Sequence, residues 1–391
     1  MRDEISWERR DSDSSRPGES GSLRQSRTEK LVTHLIDNRF RDWYRERQYR
    51  RNIENGTPYF NGPSSVPDSE RHSPSRLLEC HRKVVYRQCN APEETEDPDG
   101  IFWFGTRFEE DIALPFLQRS VTESDTYVQN SIWVDFRIEM DSCEIQIKGE
   151  TDPVIVDTDA VPLLPTEIKT KSSIEHTTSP NRSHRAQLHA YMAGLTEKYD
   201  VEIRESILIY ADRGSMDVKT FHVEFDDGFW NDIVLDWATN HTQYRLDDEL
   251  PPAEPEQDWE CDFCAYRERC GEGESEHHDV GPVGLLTGFV DYPRQKVIEY
   301  LDAHDDAEIT PSLAREFPLV ASEYGSLSWH CSRCESSFDW STIHRKTGGS
   351  SKPLCPDCVT DDRLVELHIP SADKHSQKLK STETSNYGEA K

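Results

Sequence analysis

Apolar positions along this chain recur with two periods, and the change between them marks its elements. From Ser131 to Ile147 they alternate. Ile132, Val134 and Phe136 fall on one face and Cys143, Ile145 and Ile147 on another, which predicts one or two strands. Asp152–Val156 and Leu163–Lys171 predict two further strands, Ser206–Tyr210 a strong one and Val218–Val223 a weaker one. Helical spacing links Leu31, Leu35, Phe40, Trp43 and Tyr44 in a segment that runs to Tyr49. It returns at Leu77, Leu78, Cys80, Val84 and Tyr86, with Ser75 as the N-cap, and then at Phe104–Leu117, Ser183–Leu195 and Phe229–Ala238. Val297–Ala303 and Pro311–Phe317 predict two short helices. Loops are expected over Asn55–Pro74, Ala91–Gly100 and Leu250–Asp258, where Gly, Pro, Ser or acidic residues replace the pattern.

No run approaches the eighteen apolar residues of a membrane-spanning helix, and the first thirty residues are charged and Ser-rich rather than signal-like. A cytoplasmic protein without a membrane partner is expected. In that compartment ten cysteines read as metal ligands rather than disulfides. The net charge of −30 is at odds with the basic footprint of many nucleic-acid proteins, but it is uneven. Residues 1–90 carry 18 basic and 14 acidic side chains, so the rest of the chain holds −34. Acid-rich, Lys-poor composition fits a high-salt cytoplasm, that of a halophilic archaeon or its virus. There the Debye length is about 3 Å, and diffuse repulsion of DNA largely vanishes.

Three groups of residues carry chemistry. Asp152 and Glu167 fall on adjacent predicted strands, and Lys169 shares a strand face with Glu167. Two carboxylates suffice to hold Mg²⁺ or Mn²⁺, which keep several waters, and an ammonium beside them can orient the attacking water or offset charge in hydrolysis. Gln187 and Tyr191 lie one helical turn apart. Cys261, Cys264 and Cys270 offer three thiolates with no local fourth, suited to zinc or an iron–sulfur cluster, and Cys80 is the candidate partner. Cys89 is the fallback ligand, and Cys143 reads as a buried small hydrophobe. Cys331, Cys334, Cys355 and Cys358, in the spacing C-x2-C-x20-C-x2-C, are a self-sufficient structural Zn²⁺ site of zinc-ribbon type. Arg333, His344, Arg345, Lys346 and Lys352 make that module locally basic. Trp43, Tyr44, Tyr49 and Phe60, interleaved with Arg39, Arg41, Arg45, Arg47, Arg50 and Arg51, could stack and contact single strands, or could pack inward.

The block Asp152-Pro153, Glu167-Ile168-Lys169 and Gln187-x3-Tyr191 resembles the PD-(D/E)XK nuclease superfamily in its RecB-like branch. The resemblance implies an α/β, restriction-endonuclease-like core, a mixed central sheet flanked by helices. It implies that Asp152 and Glu167 bind Mg²⁺ or Mn²⁺, that Lys169 assists catalysis, and that Gln187 and Tyr191 position the nucleic-acid strand. The branch commonly has G-x3-H on the helix before the sheet. Here Gly105-Thr106-Arg107-Phe108-Glu109 puts glutamate there, an acceptable hard metal ligand, with Glu110 as its alternative. One cysteine before the core and three after it resemble the iron–sulfur RecB-type nucleases, including the CRISPR-associated adaptation exonucleases. That likeness implies a [4Fe–4S] cluster on Cys80, Cys261, Cys264 and Cys270 that staples the two ends of the domain.

The expected organisation is a disordered arm over 1–28, a nuclease domain over 29–270, a linker over 271–291 and a small helical segment over 292–328. A zinc ribbon over 329–368 and a disordered tail over 369–391 follow. The expected activity is metal-dependent DNA exonuclease on single strands or duplex ends, with CRISPR adaptation (an antiviral defence) or DNA repair and recombination proteins as partners. Two readings compete with it: a catalytically inactive DNA- or protein-binding module that kept the fold, and a zinc-ribbon adaptor.

Overall fold

The computed structural model describes residues 27–33, 35, 40–56, 65–94, 99–274, 278–279, 281, 283–284, 286, 292–305, 307–343 and 353–369. The expectations for the arm up to residue 26, the tail from residue 370, Arg39, Phe60, His344, Arg345, Lys346 and Lys352 lie outside these residues, as do the side chains of Arg41 and Arg45, while residues 27 and 28, expected in the arm, are helical. The chain forms two units, residues 1–64 and 65–391. The first contains helix α1 (Phe40–Glu54), in which Trp43 and Tyr49 are exposed, Tyr44 is half-buried, and the Arg47 guanidinium lies 5.6 Å from the centre of the Trp43 ring.

In the second unit the alternating segments become strands. The sequence 131–147 forms β3 (Trp133–Glu139) and β4 (Glu144–Glu150), an antiparallel hairpin with Phe136 opposite Ile147. A two-residue strand, β1 (Arg71–His72), inside the expected 55–74 loop, adds to β4 in parallel. A five-stranded mixed sheet has the order β2-β5-β6-β7-β8. Its members are β2 (Thr126–Gln129), β5 (Val154–Asp157), β6 (Pro162–Lys171), β7 (Glu205–Asp212) and β8 (Val218–Glu224). Within this sheet, among the described residues, only β6 and β7 run parallel, and helix α4 (Arg182–Tyr199) makes the crossover between them. This is the mixed sheet flanked by helices expected of the fold class.

Helix α4 packs on β3, β6 and β7, and its approach to β3 is close. A Cβ on Gly194 would lie 2.8 Å from the Phe136 ring and 2.9 Å from Val134, so no larger residue fits. The main core lies between α4 and the strands, with Val134, Ile147, Leu188, Met192 and Leu208 fully buried. The other sheet face is covered by α3 (Asp99–Phe108), whose Phe108 joins Ile168, Ile209 and Ala211. The helix continues through the wider turns Glu109–Ala113 and Leu117–Val121.

Several predicted boundaries move. The helix expected from Ser75 begins only at α2 (His81–Gln88), with Cys80 as its N-cap residue. A single turn, Pro74–Arg76, precedes it, and Leu78 then takes a positive φ of 62° that no helix allows. That conformation is held because Leu77 and Leu78 are buried in the main core. The helix expected over Phe229–Ala238 continues to Leu246. After α5 (Arg294–Ala303) and α6 (Pro311–Glu316) comes a further helix, α7 (Pro318–Tyr324), because proline at a first helical position has no N–H to waste. These helices share a second core with Tyr86 and Tyr266. Cys143 is half-buried at the start of β4 rather than fully enclosed.

Candidate active site and cysteine centres

The antiparallel register of β5 and β6 carries Asp152 to the side of Glu167. Val154 pairs with Pro165, so the two chains are still adjacent one step further on, and the Ile168 N–H donates to Asp152 Oδ2 at 2.7 Å. Lys169 stands two residues from Glu167 on the same face and donates from Nζ to Glu167 Oε1 at 2.7 Å. Glu167 is only 1% exposed, and its other oxygen, Oε2, is buried without a hydrogen-bond partner. Burial pushes the Glu167 carboxyl up to about 8, with the Asp152 and Glu109 charges adding to it and Lys169 opposing. Burial also raises Asp152. For Lys169 burial acts downward, but the Glu167 and Asp152 charges more than reverse it, so the ammonium stays charged.

Glu109 sits where α3 gives way to the wider turn, an irregularity that re-aims side chains. Its carboxyl is pushed up to about 7 by burial, then by Asp152, Glu110 and Glu150. Glu110 is exposed and bound to Arg107 at 2.5 Å, so of the two neighbours Glu109 is the one turned toward Asp152 and Glu167. Three carboxyl groups that repel one another in a buried place, one with an orphan oxygen, form a donor set suited to a hard divalent cation.

Gln187 and Tyr191 are buried. Gln187 Nε2 donates to the Tyr191 hydroxyl at 2.8 Å, and that hydroxyl donates to the Glu150 carbonyl at 2.8 Å. The pair therefore ties α4 to the end of β4, two residues before Asp152. A residue that sequence reasoning passed over lies nearby: His184, whose Nδ1 is 2.8 Å from the Tyr210 hydroxyl. Its pKa falls to about 3 through burial, then the charges of Lys169 and Lys171, so it is neutral. Only its i−3 relation to Gln187 could have flagged it.

The four cysteines of the upstream-plus-downstream set line one cavity. Cys80, Cys261, Cys264 and Cys270 meet there, closed by Tyr86, Tyr266 and Pro255. Arg82 donates to Cys270 Sγ at 3.7 Å and to the Cys270 carbonyl at 2.7 Å. Burial pushes the Cys270 thiol up to about 11. Cys89 is buried at the end of α2, away from this lining, which leaves Cys80 as the fourth member. Glu79, just before Cys80, holds Arg76, Lys83 and Arg87 and so pins the strand-to-helix junction. The ribbon cysteines Cys331, Cys334, Cys355 and Cys358 are closer together, with all four sulfurs within 4.8 Å. Cys331 and Cys358 are 3.8 Å apart, and Cys334 and Cys355 are 3.5 Å apart. The edge of a tetrahedron with metal–sulfur bonds of about 2.3 Å is about 3.8 Å, so this set can hold a metal as it stands. Among the described residues it is the one group this compact, so the cavity thiols, and likewise the carboxylate oxygens of Asp152, Glu167 and Glu109, are spread more widely.

A pH dependence follows from the carboxyl cluster. In the metal-free fold Glu167 and Glu109 keep their protons up to about 8 and about 7, whereas the unfolded chain loses them near 4.5. Their contribution to stability is therefore fully present below about 4.5 and is lost as pH rises through their folded values. A divalent cation needs both groups ionised. The gain in melting temperature on adding Mn²⁺ is expected to be larger at about pH 9 than at about pH 6. A gain independent of pH would contradict the assignment.

Residues 46–271, more than half the chain, match the family model of the PD-(D/E)XK nuclease superfamily. No curated protein matches the chain. Among solved structures it is similar to one described as "Crystal structure of SSO0001", at 15% identity and a TM-score of 0.40, over 60% of this chain and 98% of that one. Among the described residues no helix is long and apolar enough to cross a membrane.

Proposed function

The chain belongs to the PD-(D/E)XK nuclease superfamily, and we propose that within it the protein is a metal-dependent deoxyribonuclease that digests single strands or duplex ends. Metal-dependent hydrolysis of nucleic acid comes with the family. The observation that carries the assignment of the site is the orphan Oε2 of Glu167, a buried carboxylate oxygen without a partner, on which the charges of Asp152 and Glu109 also act. A binding module would gain stability by losing that arrangement, whereas a cation site needs it.

Asp152, Glu167 and Glu109 would hold Mg²⁺ or Mn²⁺, which supplies polarisation of the phosphoryl oxygen and a water acidic enough to attack. Asp152 commits one oxygen to the Ile168 N–H and keeps the other for the cation, so its orientation is set before any ligand arrives. Lys169, held by Glu167, places a positive charge where negative charge develops on the phosphate. Gln187 and Tyr191 act as positioning residues, because their polar groups are used in fixing the β4 end that leads to Asp152.

The cavity cysteines Cys80, Cys261, Cys264 and Cys270 would carry a [4Fe–4S] cluster. Their wider spread fits several iron and sulfide atoms better than one tetrahedral ion, and soft thiolates suit iron. The ribbon set would carry Zn²⁺ in a closed, structural site. The placement of one cysteine before the core and three after it, as in the iron–sulfur RecB-type nucleases, is what supports work on DNA ends, in CRISPR adaptation or in repair and recombination.

The test is a digest of 5′- and 3′-labelled linear DNA and of circular single-stranded DNA, with anaerobically purified protein, Mg²⁺ or Mn²⁺ and high KCl. Progressive shortening of the linear substrates from one end is expected, with circles left intact. Cut circles would make it an endonuclease, and intact linear DNA under both metals would reduce the protein to a binding module.

A further inference from the structure

The C-terminal ends of the parallel strands β6 and β7 hold two cations that the fold leaves uncompensated. Lys171 follows Lys169 by two residues and so extends the face that carries Glu167 and Lys169. Its ammonium lies 3.9 Å from the centre of the Tyr210 ring and donates to Asn181 Oδ1 at 3.1 Å, contacts that fix its position without neutralising it. Asp212 pairs with Lys171 across the strands, but its carboxylate is used elsewhere. Oδ1 accepts the N–H groups of Gly214 (2.8 Å) and Ser215 (3.0 Å), and Oδ2 accepts that of Ile174 (3.2 Å).

Arg213 follows Asp212 in the chain and adjoins Lys171 through its backbone, with its side chain one position out of step with that of Lys171. Its backbone N–H donates to the Lys171 carbonyl at 2.9 Å, and its side-chain Nε is buried with no hydrogen-bond partner. Among the described residues neither Lys171 nor Arg213 has a carboxylate within 4.0 Å, in a chain with 75 acidic and 45 basic side chains. A half-buried cation without a counter-charge costs free energy unless an anion joins it. Ligands of α/β sheets also gather at the carboxyl ends of parallel strands.

We propose that these strand ends form a phosphate-binding subsite, in which Lys171 and Arg213 receive the phosphodiester backbone beside the bond cut at Asp152 and Glu167. The subsite rests on the nuclease reading above and names where its substrate strand lies. Charge alone is required of the two residues, so lysine and arginine are interchangeable here to first order.

The test uses the full-length protein and a fluorescein-labelled single-stranded oligodeoxynucleotide, with binding followed by anisotropy over a KCl series without divalent metal. Each phosphate contact to a single strand contributes about 0.7 to the slope of log K against log[salt]. The Lys171→Met/Arg213→Met double variant is expected to lose about 1.4 from that slope. Its KM for cleavage should rise roughly tenfold, more than kcat falls. The Lys171→Arg/Arg213→Lys variant should keep the wild-type slope. A folded double Met variant with an unchanged slope overturns the subsite, as does a slope loss that the charge-conserving variant shares. If the double Met variant does not fold, the two single Met variants are read in the same way, each for about half the change. A wild type that cuts DNA while the slope is unmoved by substitution removes the subsite alone. A wild type that neither binds nor cuts the oligonucleotide removes the nuclease reading with it.

Discussion

Glu167→Gln is expected to lower metal-dependent DNA hydrolysis by about 10³-fold and to raise the melting temperature of the metal-free protein above pH 8. The two effects have one cause. Glu167 is buried, its carboxyl is pushed up to about 8, and its Oε2 has no partner. Glutamine keeps the shape and can still accept from Lys169, but it carries no charge to desolvate, and its amide N–H₂ replaces the orphan oxygen near the Asp152 charge. The same change removes the ligand that a cation would use. Lys169→Ala should give a loss of activity of similar size through a different route, since it removes the charge facing the phosphate and leaves the carboxyls intact. In both variants the colour of an iron–sulfur cluster should be unchanged. Steady-state kcat/KM with Mg²⁺ and Mn²⁺, beside melting curves with and without metal, reads all of this. Undiminished activity in either variant would sink the site assignment.

On the proposal that the cavity cysteines carry a [4Fe–4S] cluster, Cys270→Ser is expected to remove about four iron, with the brown colour they would give, and to lower the melting temperature by on the order of 10 °C or more. The structural reason lies in what the cavity joins. Cys80 opens α2, Cys261 and Cys264 sit in the turn Asp258–Phe263 and at its end, and Cys270 ends a short helix far along the chain. A cluster there would close a loop that encloses the five-stranded sheet, and loop closure is the kind of constraint whose value grows with length. Without it, four thiols face one another around a cavity instead of a packed core. Cys355→Ser should behave differently. With zinc in the ribbon and iron in the cavity, as proposed, it should release one zinc and loosen the small cluster around Leu327, Trp329 and Leu367, with iron content and DNA hydrolysis retained. Iron analysis, zinc analysis and activity on the two variants separate the centres. Iron retained by the Cys270 variant, or lost by the Cys355 variant, would show that the cysteines had been divided wrongly.

Much of the fold is legible in the sequence, because strand and helix periods are properties of neighbouring residues. The alternation at Ile132, Val134 and Phe136 is β3, and that at Ile145 and Ile147 is β4. Boundaries failed where a distant residue decided them. Leu78 leaves the helical region because the main core claims it together with Leu77, and nothing in the local sequence shows that the core is there. The pairing of β1 with β4 was likewise invisible, since two residues carry no period.

The candidate site divides along the same line. That Glu167, Lys169 and Lys171 share a face is a consequence of strand geometry, and that Gln187 and Tyr191 share one follows from helix geometry, so local sequence settles both. The compact spacing of Cys331, Cys334, Cys355 and Cys358 likewise announces one centre. Tertiary structure alone decided that Glu109 rather than Glu110 turns toward Asp152, and that Gln187 and Tyr191 spend their polar groups on the end of β4. It alone brought Cys80 to the other three cavity cysteines and left Lys171 without an acid although Asp212 stands opposite. The physical reason is the same each time. Backbone geometry sets which residues point together over a few positions, whereas burial and the competition for hydrogen-bond partners are set by segments that meet only when the chain is folded.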